Sequence, residues 1–140
     1  MRMKYPIELA CIIDDDDMYV NLITKVIDLR KLSKNLIIFR NGKEALDYFV
    51  SALKKMERRD IPEVILLDLN MPIMDGWQFL NELSKYDFKE LKKTTLYIVS
   101  SSINPADIER SKAISMVKDF LVKPIRPNEI AEVFMTDKAS

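Results

Sequence analysis

Acidic, hydroxyl and ammonium side chains follow four short apolar runs of this sequence, at the point where each run ends. Asp14 and Asp15 come after the first run, Asp68 after the third, Ser100 after the fourth and Lys123 after the fifth. Carboxylates gathered in one place repel one another and lose their protons reluctantly unless a cation neutralises them. Mg²⁺ prefers such hard oxygen ligands, and a carboxylate beside it can attack phosphorus. Lysine and serine would then bind phosphoryl oxygens, so the residue types together favour phosphoryl transfer.

These side chains meet only if the apolar runs are strands of one sheet. Five runs are too short for buried helices, and most are rich in β-branched or aromatic residues: Leu9–Ile13, Leu36–Phe39, Val64–Leu67, Leu96–Val99 and Phe120–Val122. They are typical of strands buried on both faces, as in a parallel sheet. Because ligands of an open parallel sheet bind beyond the carboxyl ends of its strands, the polar residues are predicted to meet at one edge.

Amphipathic stretches of helical length lie between and after the runs. Their apolar residues recur at helical spacing over Met18–Arg30, Gly42–Glu57, Gly76–Tyr86, Pro105–Ile114 and Asn128–Met135. Asn104 before Pro105 predicts a capped start for the fourth helix, and the last helix is expected to be short. The alternation of five strands with five helices predicts an α/β domain with a parallel sheet and right-handed crossovers.

The composition excludes several common kinds of site. The 140 residues include no histidine, which removes Ser-His-Asp and Cys-His triads, histidine-ligated zinc and a histidine phosphodonor. Cys11 is the only cysteine, so no internal disulfide can form, and two glycines are too few for a P-loop or a dinucleotide fingerprint. Lys plus Arg and Asp plus Glu both number 22, so the chain lacks the basic surplus of a dedicated nucleic-acid binder.

The sequence gives no sign of export or membrane insertion. Its basic start is followed by an apolar stretch that contains Glu8 and runs into Asp14, which argues against a signal peptide. No segment approaches the ~18 apolar residues needed to cross a bilayer. We therefore expect a reduced, cytoplasmic protein with no membrane partner.

Each polar feature also has a simpler interpretation. Consecutive aspartates at 14–17 suit the positive end of a helix dipole, and Asp17 is predicted to be the N-cap of the first helix. Lys123 before Pro124 is typical of a turn, and serines are common in loops. The chemical interpretation gains weight because all of these features fall after different strands, at the same edge of the sheet.

Four segments, taken in their order and spacing, resemble the receiver domain of two-component response regulators. They are residues 12–16 (IIDDD), 66–76 (LLDLNMPIMDG), 99–102 (VSSS) and 121–124 (LVKP). The stretch from Asp68 to Gly76 is the most specific of the four. The resemblance covers about residues 8–135 and implies a flavodoxin-like, doubly wound sheet of five parallel strands in the order 2-1-3-4-5, with five helices.

The resemblance implies a role for each matching residue. Asp68 would be the phosphoacceptor, which forms an aspartyl phosphate with a phosphoryl group from a phosphohistidine on another protein. Together with Asp68, Asp15 would bind Mg²⁺ directly, Asp14 largely through water, and Asn70 through its backbone carbonyl. Lys123 would pair with the phosphoryl oxygens.

The same resemblance implies a conformational switch. Ser100 would be the switch hydroxyl and Phe120, three residues before Lys123, the switch aromatic. Their movement would remodel the face made by the fourth helix, fifth strand and fifth helix. From Ser100 to Lys123 the chain is one residue longer than is common in the family, which makes Ser101 an alternative switch hydroxyl. The extra residue is expected near Ile114–Lys118, before the fifth strand.

The function implied is a stand-alone, bacterial phosphorylation switch, with residues 1–140 as one receiver domain and no output domain. It would regulate a partner or pass the phosphate on. Its partners would be a sensor histidine kinase or histidine phosphotransfer protein and an unknown protein target, with the chain itself a monomer or a phosphorylation-linked dimer. No enzymatic activity is expected beyond self-catalysed phosphotransfer to Asp68 and autodephosphorylation.

Two other functions stay open. A pseudo-receiver would bind its partners without phosphorylation. Asp14 and Asp16 also resemble the first motif of haloacid-dehalogenase-like phosphatases, which pass through an aspartyl phosphate. Against the phosphatase, the acidic motif expected downstream of Lys123 is missing, and the segment from Asp68 to Gly76 would have no explanation.

Overall fold

Five parallel strands, numbered along the chain, form one sheet in the order 2-1-3-4-5 that the resemblance implies. The computed structural model describes residues 5–55, 60–86, 89–101 and 104–139. The strands are β1 (Ile7–Ile13), β2 (Ser33–Phe39), β3 (Val64–Asp68), β4 (Thr95–Ser100) and β5 (Val117–Val122). The helices are α1 (Asp17–Leu29), α2 (Gly42–Lys55), α3 (Gly76–Leu83), α4 (Pro105–Lys112) and α5 (Pro127–Ala139), with a 3₁₀ helix at Lys89–Lys93 before β4.

Helices cover both faces of the sheet, which makes the fold doubly wound. On one face the strands pack against α1 and α5, through a core that includes Ile12, Val20, Ile23, Val99 and Phe134. On the other face they pack against α2 and α3, through a core that includes Ile13, Phe49, Leu67, Phe79 and Ile98. The flavodoxin-like α/β fold predicted from the sequence is confirmed.

The expectation that every strand is buried on both faces holds only for the centre of the sheet. Nearly all residues of β1, β3 and β4 are buried. Most residues of β2 and β5 are half-buried or exposed. These two strands lie at the edges, where each has a neighbouring strand on one side only.

Two helix ends differ from the predicted ones. The last helix was expected to be short, ending at Met135, but α5 continues to Ala139. Apolar periodicity stops at Met135, yet no glycine or proline follows to end the helix. The third helix stops at Leu83 because the N–H of Tyr86 donates back to the Leu83 carbonyl in a turn. The predicted end of the second helix, at Glu57, lies outside the described residues.

The fourth helix begins as predicted and ends two residues early. The side-chain oxygen of Asn104 accepts a hydrogen bond from the N–H of Ala106 at 2.9 Å, and Pro105 occupies the first helical turn. The N–H of Ala113 donates to the carbonyl of Arg110, three residues back, which closes the helix after Lys112.

The pairing of β5 with β4 contains an irregularity near the start of β5. Val117 pairs with Leu96, but the next residue of β4, Tyr97, pairs with Asp119. Two residues of β5 therefore oppose one of β4, which is the pattern of a β-bulge at Lys118. From Asp119 to Val122 the pairing of β5 with β4 is regular again, up to the residue before Lys123. That the chain is one residue longer here than is common in the family stays a prediction.

In the part of the chain that the structure describes, no helix combines the length and apolar character needed to span a bilayer.

Candidate functional site

The carboxyl edge of the sheet brings together the polar residues singled out in the sequence. Asp68 and Ser100 are the last residues of β3 and β4, and Asp14 and Lys123 follow β1 and β5 directly. Backbone hydrogen bonds fix these positions: the N–H of Asp14 donates to Phe39 of β2 at 2.9 Å, and that of Lys123 to Ser100 at 2.8 Å. The predicted convergence is therefore seen in the fold.

Three carboxylates form the centre of this edge. One oxygen each of Asp14, Asp15 and Asp68 lies within 4.8 Å of the others. Asp14 and Asp68 are only 1% and 6% exposed, whereas Asp15 faces solvent. This arrangement combines two desolvated charges with an open side.

The protonation of the two buried carboxyls reflects their surroundings. Burial, and next the charge of Asp14, raises the pKa of Asp68 from 3.8 to about 6, against the opposing effect of Lys123 and a backbone hydrogen bond from Asn70. Burial also raises the pKa of Asp14, while its hydrogen bond to Lys123 acts in the opposite direction. Asp14 and Asp68 thus hold their protons more tightly than ordinary carboxyls do, because their raised pKa values favour the protonated form.

Lys123 is the cation of the site. Its Nζ lies 2.9 Å from Oδ2 of Asp14, and its side chain is 13% exposed. The same Nζ lies 4.2 Å from the centroid of the Tyr19 ring, in a cation–π contact. The ammonium is therefore held between a carboxylate and an aromatic ring.

Tyr19 is the site residue that the sequence analysis missed. It lies in the first turn of α1, and its ring belongs to the core between the sheet and α1. Its hydroxyl is buried with no hydrogen-bond partner in the described structure, and burial together with the charges of Asp14 and Asp68 raises its pKa. Helical periodicity from Asp16 could have placed Tyr19 on the buried face, but no local pattern indicates a contact with a lysine 104 positions away.

The four consecutive aspartates at 14–17 belong to two different parts of the structure. Asp14 and Asp15 are in the carboxylate cluster, whereas Asp16 and Asp17 lie at the start of α1. Asp16, not Asp17, is the N-cap of α1: its side chain accepts a hydrogen bond from the N–H of Tyr19 at 3.2 Å. The prediction for Asp17 is wrong because Asp14 Oδ1 accepts the N–H of Asp16 at 2.9 Å, and Asp16 is extended, so Asp17 is already helical. Asp17 instead pairs with Arg40 at the end of β2.

Both glycines of the chain lie against the loop that follows Asp68. A Cβ on Gly76 would stand 2.5 Å from the backbone oxygen of Asp68, and one on Gly42 would stand 2.7 Å from the backbone oxygen of Met74. Asp75 caps α3, because its side chain accepts the N–H of Gln78 while the Gln78 side chain accepts the N–H of Asp75. The loop that places Asp68 is thus fixed from both sides.

The residues predicted to form the switch occupy different environments. Ser100 is buried at the end of β4, whereas Ser101 is exposed beyond the strand, and Ser102 lies outside the described residues. Phe120 pairs with Ile98 across the sheet, is half-buried and packs on the core beneath α2 and α3. Their roles in a switch stay predictions.

The donor set fits a small divalent cation. All three candidate ligands are carboxylates, the hard oxygen donors that Mg²⁺ and Mn²⁺ prefer, and the exposed side at Asp15 leaves room for coordinating water. A cation would also relieve the repulsion that raises the pKa of Asp68. Asn70, predicted to contribute its carbonyl, is exposed in the loop directly after β3.

The fold and its acidic edge define a receiver-type α/β domain. The family model of the response regulator receiver domain matches residues 10–134. The chain therefore belongs to the response regulator receiver family.

Its relatives include regulators and a kinase. The chain is 28% identical to the response regulator Rcp1 of Synechocystis sp., over 74% of this chain and 68% of that protein. It is 25% identical to the probable methanogenesis regulatory protein FilR2 of Methanothrix harundinacea, over 84% and 72%. It is 32% identical to the sensor histidine kinase CheAY of Helicobacter pylori, over 80% of this chain but only 13% of that much longer protein.

Solved structures show the same fold. A two-component response regulator from Cytophaga hutchinsonii superposes with a TM-score of 0.83 at 22% identity, covering 96% of this chain and 98% of that one. The Mn²⁺-bound form of response regulator Rcp1 superposes with a TM-score of 0.72 at 23% identity, covering 94% and 92%.

Proposed function

We propose that this receiver domain is a phosphorylation switch in which Asp68 accepts a phosphoryl group from a phosphohistidine on a partner protein. The observation that carries the proposal is the placement of the Asp68 carboxylate, at the acidic edge of the sheet within 4.8 Å of the Asp14 and Asp15 oxygens. Lys123 stands beside the same cluster, 2.9 Å from Asp14. A nucleophilic carboxylate, cation ligands and an ammonium are what phosphoryl transfer requires of a protein.

In the proposed step, an Oδ of Asp68 attacks phosphorus in line with the histidine nitrogen. The O–P bond forms while the P–N bond breaks, and the electron pair of that bond returns to the imidazole. The ammonium of Lys123 would pair with a phosphoryl oxygen. Mg²⁺ held by Asp14, Asp15, Asp68 and the Asn70 carbonyl would neutralise charge on the phosphoryl group and the carboxylates.

The 140 residues contain no histidine, so the phosphohistidine donor has to lie outside them. Family membership supports a histidine kinase or phosphotransfer protein, and the similarity to a sensor histidine kinase agrees with this.

Met18 at the start of α1 and Ile73 in the loop after β3 are 82% and 80% exposed. A protein donor that reaches Asp68 would meet apolar side chains on both segments. A cytoplasmic location stays a prediction.

The proposed output is a change in the face formed by α4, β5 and α5. Phosphorylation adds about two negative charges at Asp68. Ser100 lies on β4, next to β3, and Phe120 lies on β5, one strand further out, so their movement would carry the change outward. Beyond self-catalysed transfer and hydrolysis at Asp68, no enzymatic activity is proposed.

The test is the intact mass of the protein after incubation with acetyl phosphate and Mg²⁺. We expect one phosphate adduct that is lost without Mg²⁺ and in Asp68→Asn. Asp28→Asn makes the same chemical change at an exposed position of α1 and should keep the adduct. A wild-type protein that accepts phosphate neither from acetyl phosphate nor from a phosphohistidine donor would contradict the proposal.

A further inference from the structure

The contact between Lys123 and Tyr19 is the feature of the acceptor edge that family membership does not explain. The ammonium lies 4.2 Å from the ring centroid, and both side chains are largely buried. A cation over an aromatic ring is attracted by the ring quadrupole, and the attraction grows when solvent is excluded. The contact therefore contributes to holding the ammonium at the edge.

The ring and the carboxylate hold Lys123 in different ways. Asp14 Oδ2, 2.9 Å away, competes with a phosphoryl oxygen for the same N–H groups. The face of the Tyr19 ring attracts the charge without a strong acceptor, and so leaves N–H groups to point at an incoming oxygen. The ring would therefore keep the ammonium at the edge when the Asp14 carboxylate binds a divalent cation instead of Lys123.

The ring itself is well fixed. The Tyr19 N–H donates to the cap residue Asp16, and the ring packs in the core shared by β1, α1 and α5. Its hydroxyl has no hydrogen-bond partner in the described structure, so hydrogen bonding does not orient the side chain. The part of Tyr19 that acts on Lys123 is the ring.

We infer that Tyr19 is a positioning residue, whose ring holds the Lys123 ammonium at the carboxyl edge so that it is in place when the phosphoryl group arrives. This inference rests on the proposed phosphorylation of Asp68. It adds a specific side chain of α1 to a site otherwise built from the ends of the strands.

The first test is the rate of Asp68 phosphorylation as a function of acetyl phosphate concentration, in Mg²⁺. Tyr19→Phe retains the ring and should keep most of the rate. Tyr19→Leu removes the ring and should lower the maximal rate about tenfold, the size expected for a partly desolvated cation–π contact. Val26→Ala loses buried volume in the same helix away from the site and should leave the maximal rate near that of the wild type.

The second test does not require phosphorylation. The ring current of Tyr19 should shift the NMR signals of the Lys123 ε-methylene protons upfield. We expect the shift in the wild type and in Tyr19→Phe, and its loss in Tyr19→Leu. A packing role without contact between the two side chains would not move these signals.

The outcomes separate the two proposals. Phosphorylation of the wild type and of Tyr19→Leu at equal rates overturns the role of Tyr19 and leaves that of Asp68 intact. A rate in Tyr19→Phe as low as in Tyr19→Leu assigns the effect to the hydroxyl and also overturns it, as does an equal loss in Val26→Ala. A wild type that no donor phosphorylates overturns the proposed function and the role of Tyr19 with it.

Discussion

The carboxyl edge of the sheet and the corner formed by α4 and β5 (residues 104–122) are held in opposite ways. At the edge, the carboxylates of Asp14 and Asp68 are buried and Lys123 contacts both a carboxylate and a ring. In the corner, α4 has eight residues, and of its described side chains only that of Ser111 is buried. β5 is an edge strand that carries a bulge.

This difference matters because stability is unevenly distributed in a protein. Segments with few buried apolar contacts open or shift at a lower cost than the core does. A cation–π contact between Arg110 of α4 and Trp77 of α3, at 4.3 Å, links the corner to the helix that follows the Asp68 loop. A firmly packed site beside a weakly anchored helix suits the proposed switch, in which the charge added at Asp68 would displace the helix and leave the site in place.

The largest expected effect concerns the rigidity of the edge. In Gly76→Ala the new Cβ would meet the backbone of Asp68 and Leu69 at 2.5 and 2.9 Å, so that the loop has to move. We expect the free energy of unfolding in urea to fall by about 3 kcal/mol. Asn81→Ala, exposed on the same helix, should change it by less than about 0.5 kcal/mol. A similarly small change in Gly76→Ala would show that the loop after Asp68 can move with little loss of stability.

The second effect is a dependence of the free energy of unfolding on pH, caused by the buried Asp68 carboxyl at the edge. The pKa of Asp68 is about 6 in the folded protein against 3.8 ordinarily, so between these values the folded state binds more protons than the unfolded state. The free energy of unfolding should therefore fall as pH rises from 4 to 6, by about 2 kcal/mol, with Asp14 acting in the same direction.

Asp68→Asn removes the Asp68 part of this dependence. In buffer without divalent cations, the variant should be more stable than the wild type above pH 6 and similar to it near pH 4. Chemical denaturation at each pH measures the difference, with Asp28→Asn as the control. Parallel pH profiles for the wild type and Asp68→Asn would mean that Asp68 is not desolvated.

A third effect concerns backbone strain in the loop after β3. Ile73 has φ of 69° and a β-branched side chain, a combination that L residues rarely adopt. Ile73→Asn should raise the free energy of unfolding by about 1 kcal/mol, because asparagine tolerates the left-handed region. Ile73→Val keeps the branched side chain and should leave it unchanged. A loss of stability in Ile73→Asn would show that the apolar side chain itself stabilises the loop.

The smallest effect is expected in the corner. Arg110→Ala should lower the free energy of unfolding by only about 0.5–1 kcal/mol, the size expected for an exposed cation–π contact. Trp77 is the only tryptophan, so its fluorescence reports the loss directly. Lys112→Ala, which removes an exposed cation on the same helix, should leave the emission unchanged. A cost above about 2 kcal/mol would make the corner as firmly held as the edge.

The sequence predicts the parts of this protein that local patterns encode. Short apolar runs and helical periodicity predicted the five strands and five helices, and the cap at Asn104 followed from residue type and position. Helix ends were less accurate: α5 extends beyond Met135 because a helix continues until something stops it, even where its apolar stripe has ended. The N-cap of α1 was assigned to Asp17 instead of Asp16, because the hydrogen bond from the Asp16 N–H to Asp14 Oδ1 is not visible in the sequence.

The candidate site divides in the same way. That Asp14, Asp68, Ser100 and Lys123 meet follows from the sequence, because each ends or follows a parallel strand and all parallel strands end at one edge. Only the tertiary structure decided that the ring of Tyr19 stands over Lys123, that β5 carries a bulge at Lys118, and that burial raises the pKa of Asp68 to about 6. These features depend on packing between segments far apart in the chain, which no local pattern of residues contains.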